Sequence, residues 1–298
     1  MTQGLLLINK PKDITSFGVV AKVKWLLHEK RVGHTGTLDP MATGVLPVFV
    51  GRATALSSLL LEADKVYTAT FRFGITTDTA DITGKILSEK PVNITKQDIL
   101  AALEKFTGNI IQVPPMYSAI KKNGVPLYKL ARLGKTVDVP QREVTVNYIE
   151  LKSDFTDNEI TVQVSCSKGT YIRTLCADIG EYLGCGATLS SLRRDETSGF
   201  TLSNCVNLED LTNENINDYV INEEKAVEYL REIKISDKQA VRFANGGQLS
   251  FERLNYKFDT ENELLRVKMG DKLLGIGIAD LENKQVAIKC ILRGTADE

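Results

Sequence analysis

The chain reads as an α+β protein: a mixed, largely antiparallel sheet, followed by a small C-terminal β-barrel. Three observations in its 298 residues predict this. Strand-length apolar runs and helical periodicities neither alternate regularly, as in doubly wound folds, nor separate into blocks. Two long strand patterns, REVTVNYIEL and EITVQVSCS, are joined through the polar turn Ser153 to Asn158, as in an antiparallel hairpin. Beyond residue 231, one helical pattern and three short strand patterns fill about 65 residues, the size of a small barrel with a helix attached.

In order along the chain, Leu5 to Ile8 is a buried strand, and Ser16 caps a helix whose apolar positions are Val19, Val20, Val23, Leu26 and Leu27. Val45 to Val50 is an apolar strand, and Leu56, Leu59 and Leu60 mark a short helix. VYTATFRFG alternates apolar and polar residues and stops at Gly74. Thr95 with Asp98 opens a helix carrying Ile99, Leu100, Leu103 and Phe106 on one face. QVPPMYSAIKKNGVPLYKLARLGK, interrupted by Pro and Gly and rich in Lys, is a mobile loop with a short helix. A helix from about Thr170 to Leu183 precedes ATLSSLRR, and an acidic segment near 205–231 covers and links. ISDKQAVRFANGGQL is one helix ending at Gly246-Gly247, with strands near 263–269, 273–279 and 284–291 behind it; the domain boundary falls near 231.

The five cysteines are too widely spaced for a C-x-x-C pair and odd in number, which fits reduced thiols in a cytosolic protein. No stretch approaches the roughly 18 apolar residues of a membrane span. The net charge is only −1, but it is segregated. Residues 10–31 hold six Lys/Arg against two acids, residues 121–143 again six against two, and residues 205–231 seven acids against Lys225 and Arg231. Such windows are either solvated faces or phosphate-binding surfaces.

With two histidines, His28 and His34, and no His/Cys cluster, the sequence offers no metal site. The absence of G-x-x-x-x-G-K-[ST] and G-x-G-x-x-G removes the usual nucleotide motifs. That leaves a cofactor-free enzyme or a binding module. GHTGTLDPMATGVLP, Gly33 to Pro47, contains a single acid, Asp39. Asp before Pro is a common turn residue. The alternative is that Gly33, Gly36 and Gly44 let the backbone approach a ligand and place one carboxylate as nucleophile or base. A carboxylate ionised near apolar walls needs a cation close by.

The segment GHTGTLDPMATGVLPVFVGRAT resembles the Asp-containing motif of the TruB family of bacterial tRNA pseudouridine synthases. Further matches follow in the family's order: LLLINKPKDITSF, DKVYTATFRFGITTDTADITG, QVPPMYSAIKKNGVPLYKLAR, CSKGTYIRTLCADIG and LSSLRR. The resemblance implies a pseudouridine synthase fold over 1–231, with a mobile RNA-binding insertion at about 112–142, and a PUA-like RNA-binding domain over 232–298. It implies isomerisation of uridine 55 in the T loop of tRNA, without cofactor, metal or obligate protein partner, in the cytoplasm. Asp39 is then the nucleophile and Arg173 its counter-charge. Tyr67 stacks on the flipped uracil, Tyr171 and Leu192 line the base pocket, His34 contacts the target nucleotide, and Asp81 joins the polar network. Many family members have Lys at the position of Ala55, which is left without a role. A uridine in structured RNA must be swung out at a cost of roughly a few kcal/mol, and Lys10, Lys12, Lys121, Lys122, Arg132 and Arg142 are the candidates for the phosphate contacts that offset it. The competing reading is a tRNA-binding or RNA-folding factor with weak catalysis. An aspartyl-phosphate enzyme lacks the accompanying D-x-D pattern.

Overall fold

The computed structural model describes residues 2–293 apart from 119, 123 and 136. Its core is a ten-stranded mixed sheet, β1 (Gly4–Lys10), β2 (Val32–His34), β3 (Thr43–Val50), β4 (Lys65–Phe73), β5 (Gly108–Gln112), β6 (Arg142–Leu151), β7 (Glu159–Cys166), β8 (Ala187–Thr197), β9 (Phe200–Thr201) and β10 (Val206–Asn207). The main path runs β10-β1-β3-β8-β4-β7-β6-β5, with β2 on β3 and β9 on β8. Only β1–β10 and β3–β8 are parallel.

Alternation in KVYTATFRF turns Tyr67, Ala69, Phe71 and Phe73 inward. There they pack with Val162 and Val164 of β7 and with helices α2 (Lys96–Lys105) and α4 (Ile172–Tyr182). In chain order the short α3 (Leu127–Arg132) comes between these two helices. Helix α2 begins as its sequence requires, with Thr95 and Asp98 forming a reciprocal capping box. Helix α1 (Ser16–Leu27) covers Leu6 and Ile8 of β1 and Leu46 and Val48 of β3. Thr15, and not Ser16, is its N-cap, accepting from Gly18 N–H. Ser16 is buried because its hydroxyl pairs with the backbone of Leu38 in both directions, at 2.9 and 3.1 Å. The start of α1 is thereby tied to the loop that carries Asp39.

The other face of β1, Leu5 and Leu7, meets Ala226, Val227 and Leu230 together with Ile276 and Leu292 of the C-terminal unit. The acidic segment therefore acts through its apolar residues: Leu208, Leu211 and Ile216 also close the core under α1. The C-terminal unit is a five-stranded sheet, β11 (Arg231–Lys234), β12 (Leu249–Ser250), β13 (Leu264–Met269), β14 (Lys272–Asp280) and β15 (Gln285–Ile291), with helix α5 (Asp237–Ala244). Its order is β11-β13-β14-β15-β12. Among the described residues no helix is long and apolar enough to cross a membrane.

Lys10 corrects an expectation. It is not on the surface to meet phosphate but has 0% exposure, and its Nζ donates to the carbonyls of Pro11 at 2.8 Å, Ile14 at 2.7 Å and Pro40 at 3.3 Å. It ties the 11–14 turn to the residue after Asp39. Burial pushes its ammonium down from 10.5 to about 8, against the attraction of Asp39 and Asp13. Between those values the unfolded chain keeps a proton that the folded chain has released, so this lysine makes the fold more stable as pH rises. Urea unfolding of wild type and Lys10→Met at pH 8 and pH 10.5 should therefore show wild type gaining stability relative to the variant at the higher pH. Parallel pH dependences would mean that Lys10 titrates as an exposed lysine.

Candidate active site

Asp39 lies in the loop between β2 and β3, in a turn closed by Ala42 N–H donating to its carbonyl at 3.0 Å. Its carboxylate is turned toward Arg173, from the first turn of α4. Arg173 Nε lies 2.8 Å from Oδ2 and Nη2 donates to Oδ1 at 3.2 Å, a two-pronged contact. The Arg173 side chain is 4% exposed and that of Asp39 33%. The rest of the guanidinium is also held, with Nη1 donating to Thr79 C=O at 3.0 Å and Nη2 to Tyr117 C=O at 2.8 Å.

Asp81 supplies a second carboxylate, its Oδ2 being 3.8 Å from Arg173 Nη1. It is itself fixed, because Oδ1 accepts from Thr83 N–H at 3.0 Å and from the hydroxyls of Thr79 and Thr83. Burial raises the Asp39 carboxyl above its ordinary 3.8, Arg173 opposes that shift, and the Asp81 charge adds to it. Leaving one partner of a buried ion pair alone costs about 3–5 kcal/mol, whereas well-packed apolar replacements are often neutral. A pair in this setting is thus poorly explained by stability.

The carboxylate opens on a cavity of about 270 Å³. Tyr67, Tyr171, Leu192 and Arg173 form its walls with Asp39, so five of the six site residues anticipated from sequence are brought together. Tyr67 and Leu192 come from neighbouring strands β4 and β8, where Leu192 is in register with Ala69. Tyr171 is the residue before α4, and the fully buried Gln112 clamps its peptide, accepting from its N–H at 3.0 Å and donating to its C=O at 3.3 Å. Arg142 lies over the Tyr171 ring at 4.7 Å and donates to Gly169 C=O. His34 is not among the cavity-lining residues. It sits on β2, half-buried, its Nδ1 without a hydrogen-bond partner among the described residues. Burial and the nearby Arg194 lower its pKa.

Lys12, Lys121, Lys122 and Arg132 stand exposed. Other residues with no role assigned from sequence also line the cavity, among them Arg194, Lys65 and Tyr117. Arg194 and Lys65 are buried cations, and Tyr117 supplies the carbonyl that grips Arg173. Lys65 Nζ donates to Leu61 C=O at 2.9 Å and to Ala63 C=O. A basic residue in a strand ordinarily points to solvent, so only the three-dimensional register exposes these roles.

Residues 24–172 match the model of the TruB family pseudouridylate synthase N-terminal domain. Residues 173–234 match that of the tRNA pseudouridylate synthase B C-terminal domain. A tRNA pseudouridine synthase B of Clostridium kluyveri is 42% identical over 287 residues, 96% of this chain and 99% of that protein. One from Chromobacterium violaceum is 46% identical over 253 residues, 84% and 82% of the two chains. The fold is similar to a chain of a Cbf5-Nop10-Gar1 complex, with a TM-score of 0.76 and 27% identity over 98% of this chain and 85% of that one. It is also similar to a chain of an H/ACA RNP bound to a substrate RNA containing 2'-deoxyuridine, with a TM-score of 0.75 and 25% identity over 98% and 86%. The chain belongs to the TruB family of pseudouridylate synthases.

Proposed function

We propose that this enzyme isomerises uridine 55 in the T loop of tRNA to pseudouridine, with Asp39 as the nucleophile on a uridine swung out of the RNA. The observation that carries the reading is the two-pronged Arg173–Asp39 pair opening on a cavity walled by Tyr67, Tyr171 and Leu192. In the reaction the N1–C1′ bond breaks and a C5–C1′ bond forms; C5 gives up its proton and N1 gains one. The freed base must stay in place between those steps, which is the task of the apolar and aromatic walls. The carboxylate needs its anionic form beside the sugar, which is the task of Arg173.

His34 meets the target nucleotide from the start of the loop. Lys12, Lys121, Lys122 and Arg132 hold the phosphates that compensate for unstacking. Arg142 acts on the RNA mainly through Tyr171, against which it is packed. The C-terminal sheet with α5 serves as the PUA-like RNA-binding part, and catalysis is confined to residues 1–231.

Tritium release from unmodified tRNA transcript labelled at uridine C5 tests the reading directly, and none should be released from a transcript with cytidine at position 55. Asp39→Asn should lower kcat by about 10³-fold or more while RNA affinity stays within about threefold. Loss of fold and binding together would point instead to a turn residue. Arg173→Ala should act mainly on kcat. Arg132→Ala should act on affinity and reduce the salt slope by about 1; equal effects of the two on kcat and affinity would contradict the division of roles.

A further inference from the structure

Arg194 is the largest fully buried side chain among the described residues, at 1% exposure. It stands directly opposite Tyr67 in the antiparallel β8–β4 register, and both line the cavity. Nε donates to Val45 C=O at 2.8 Å and Nη2 to Gly36 C=O at 3.1 Å, and the positive charge of the guanidinium favours the phenolate of Tyr67 against the effect of burial. A Cβ on Gly36, whose φ is +71°, would fall 3.2 Å from Arg194 Nη1, while the close approach at Gly44 is to the Arg194 backbone, with which Gly44 is paired. Taking a guanidinium out of water to meet carbonyls costs desolvation free energy, and an apolar side chain would join the same strands more simply.

We propose that Arg194 is a positioning residue for the isomerisation. One residue stands opposite Tyr67 on the base side of the cavity and holds the Gly36 carbonyl at the root of the Asp39 loop, so the two walls keep one separation. With the Arg194 charge favouring the phenolate, the O–H of Tyr67 becomes the stronger donor to the nucleotide. The proposal rests on the roles given above to Asp39 and Tyr67.

The test is a cycle of Arg194→Gln and Tyr67→Phe, with Arg194→Lys as a second variant, each checked for fold by circular dichroism. Arg194→Gln should lower kcat by about 30-fold and change KM by less than about threefold, yet cost under about threefold more in the Tyr67→Phe background. Independently of activity, the alkaline absorbance titration of Tyr67, read as wild type minus Tyr67→Phe, should move upward in Arg194→Gln, because Arg194 favours the phenolate. Equal kcat losses in both backgrounds, a loss confined to KM, or failure of both Arg194 variants to fold would each overturn the proposal. A wild type that releases no tritium while the titration moves as expected would instead overturn only the reading of the reaction.

Discussion

The buried contact between Asp39 and Arg173 is the constraint around which the rest of the molecule is arranged. The two residues are 134 positions apart, one on the loop before β3 and the other in the first turn of α4, which leads into β8, so the contact depends on the long-range pairing of β3 with β8. A guanidinium at a helix N-terminus also opposes the helix dipole. Two carboxylates and the carbonyls of Thr79 and Tyr117 make that placement tolerable. Because Tyr117 belongs to the segment 112–142, which is rich in exposed lysines, that segment is linked through one hydrogen bond to the cation that faces the carboxylate.

Buried cations recur as scaffolding here. Lys10, Lys65 and Arg194 each aim charge at backbone carbonyls of loops that end in or border the cavity. A loop has few apolar side chains with which to hold itself, and a charged donor to several carbonyls is a compact substitute. Lys65 and Arg194 line the cavity, and the charge of Lys10 opposes the upward push of burial on the Asp39 carboxyl. Lys10 and Arg194 donate to backbone carbonyls on both sides of the Asp39 loop.

Much of this was legible in the sequence. Alternation in VYTATFRFG marks β4 and its inward face, and the Thr95/Asp98 spacing marks the start of α2. The isolation of Asp39 among glycines, with no cation beside it, required a distant partner, and the motif resemblance pointed to Arg173. What could not be read is instructive. Ser16 has the look of a helix cap, but tertiary pairing with Leu38 outweighs that local preference and Thr15 takes the role. Lys10 counts toward a basic window, yet charge in sequence says nothing of burial. Gln112 and Arg194 work through backbone groups of residues far along the chain, a relation that leaves no periodicity or spacing.

The central claim is that Arg173 holds the Asp39 carboxylate in its ionised form against burial. Selective ¹³C labelling of aspartate side chains, with Asp39→Asn to assign the resonance, gives the Asp39 pKa in wild type and in Arg173→Met. Removing the guanidinium should raise that pKa further above the ordinary 3.8, because burial and Asp81 then act with little opposition. An Asp39 that titrates at the same pH in both proteins would show that the contact does not govern its charge.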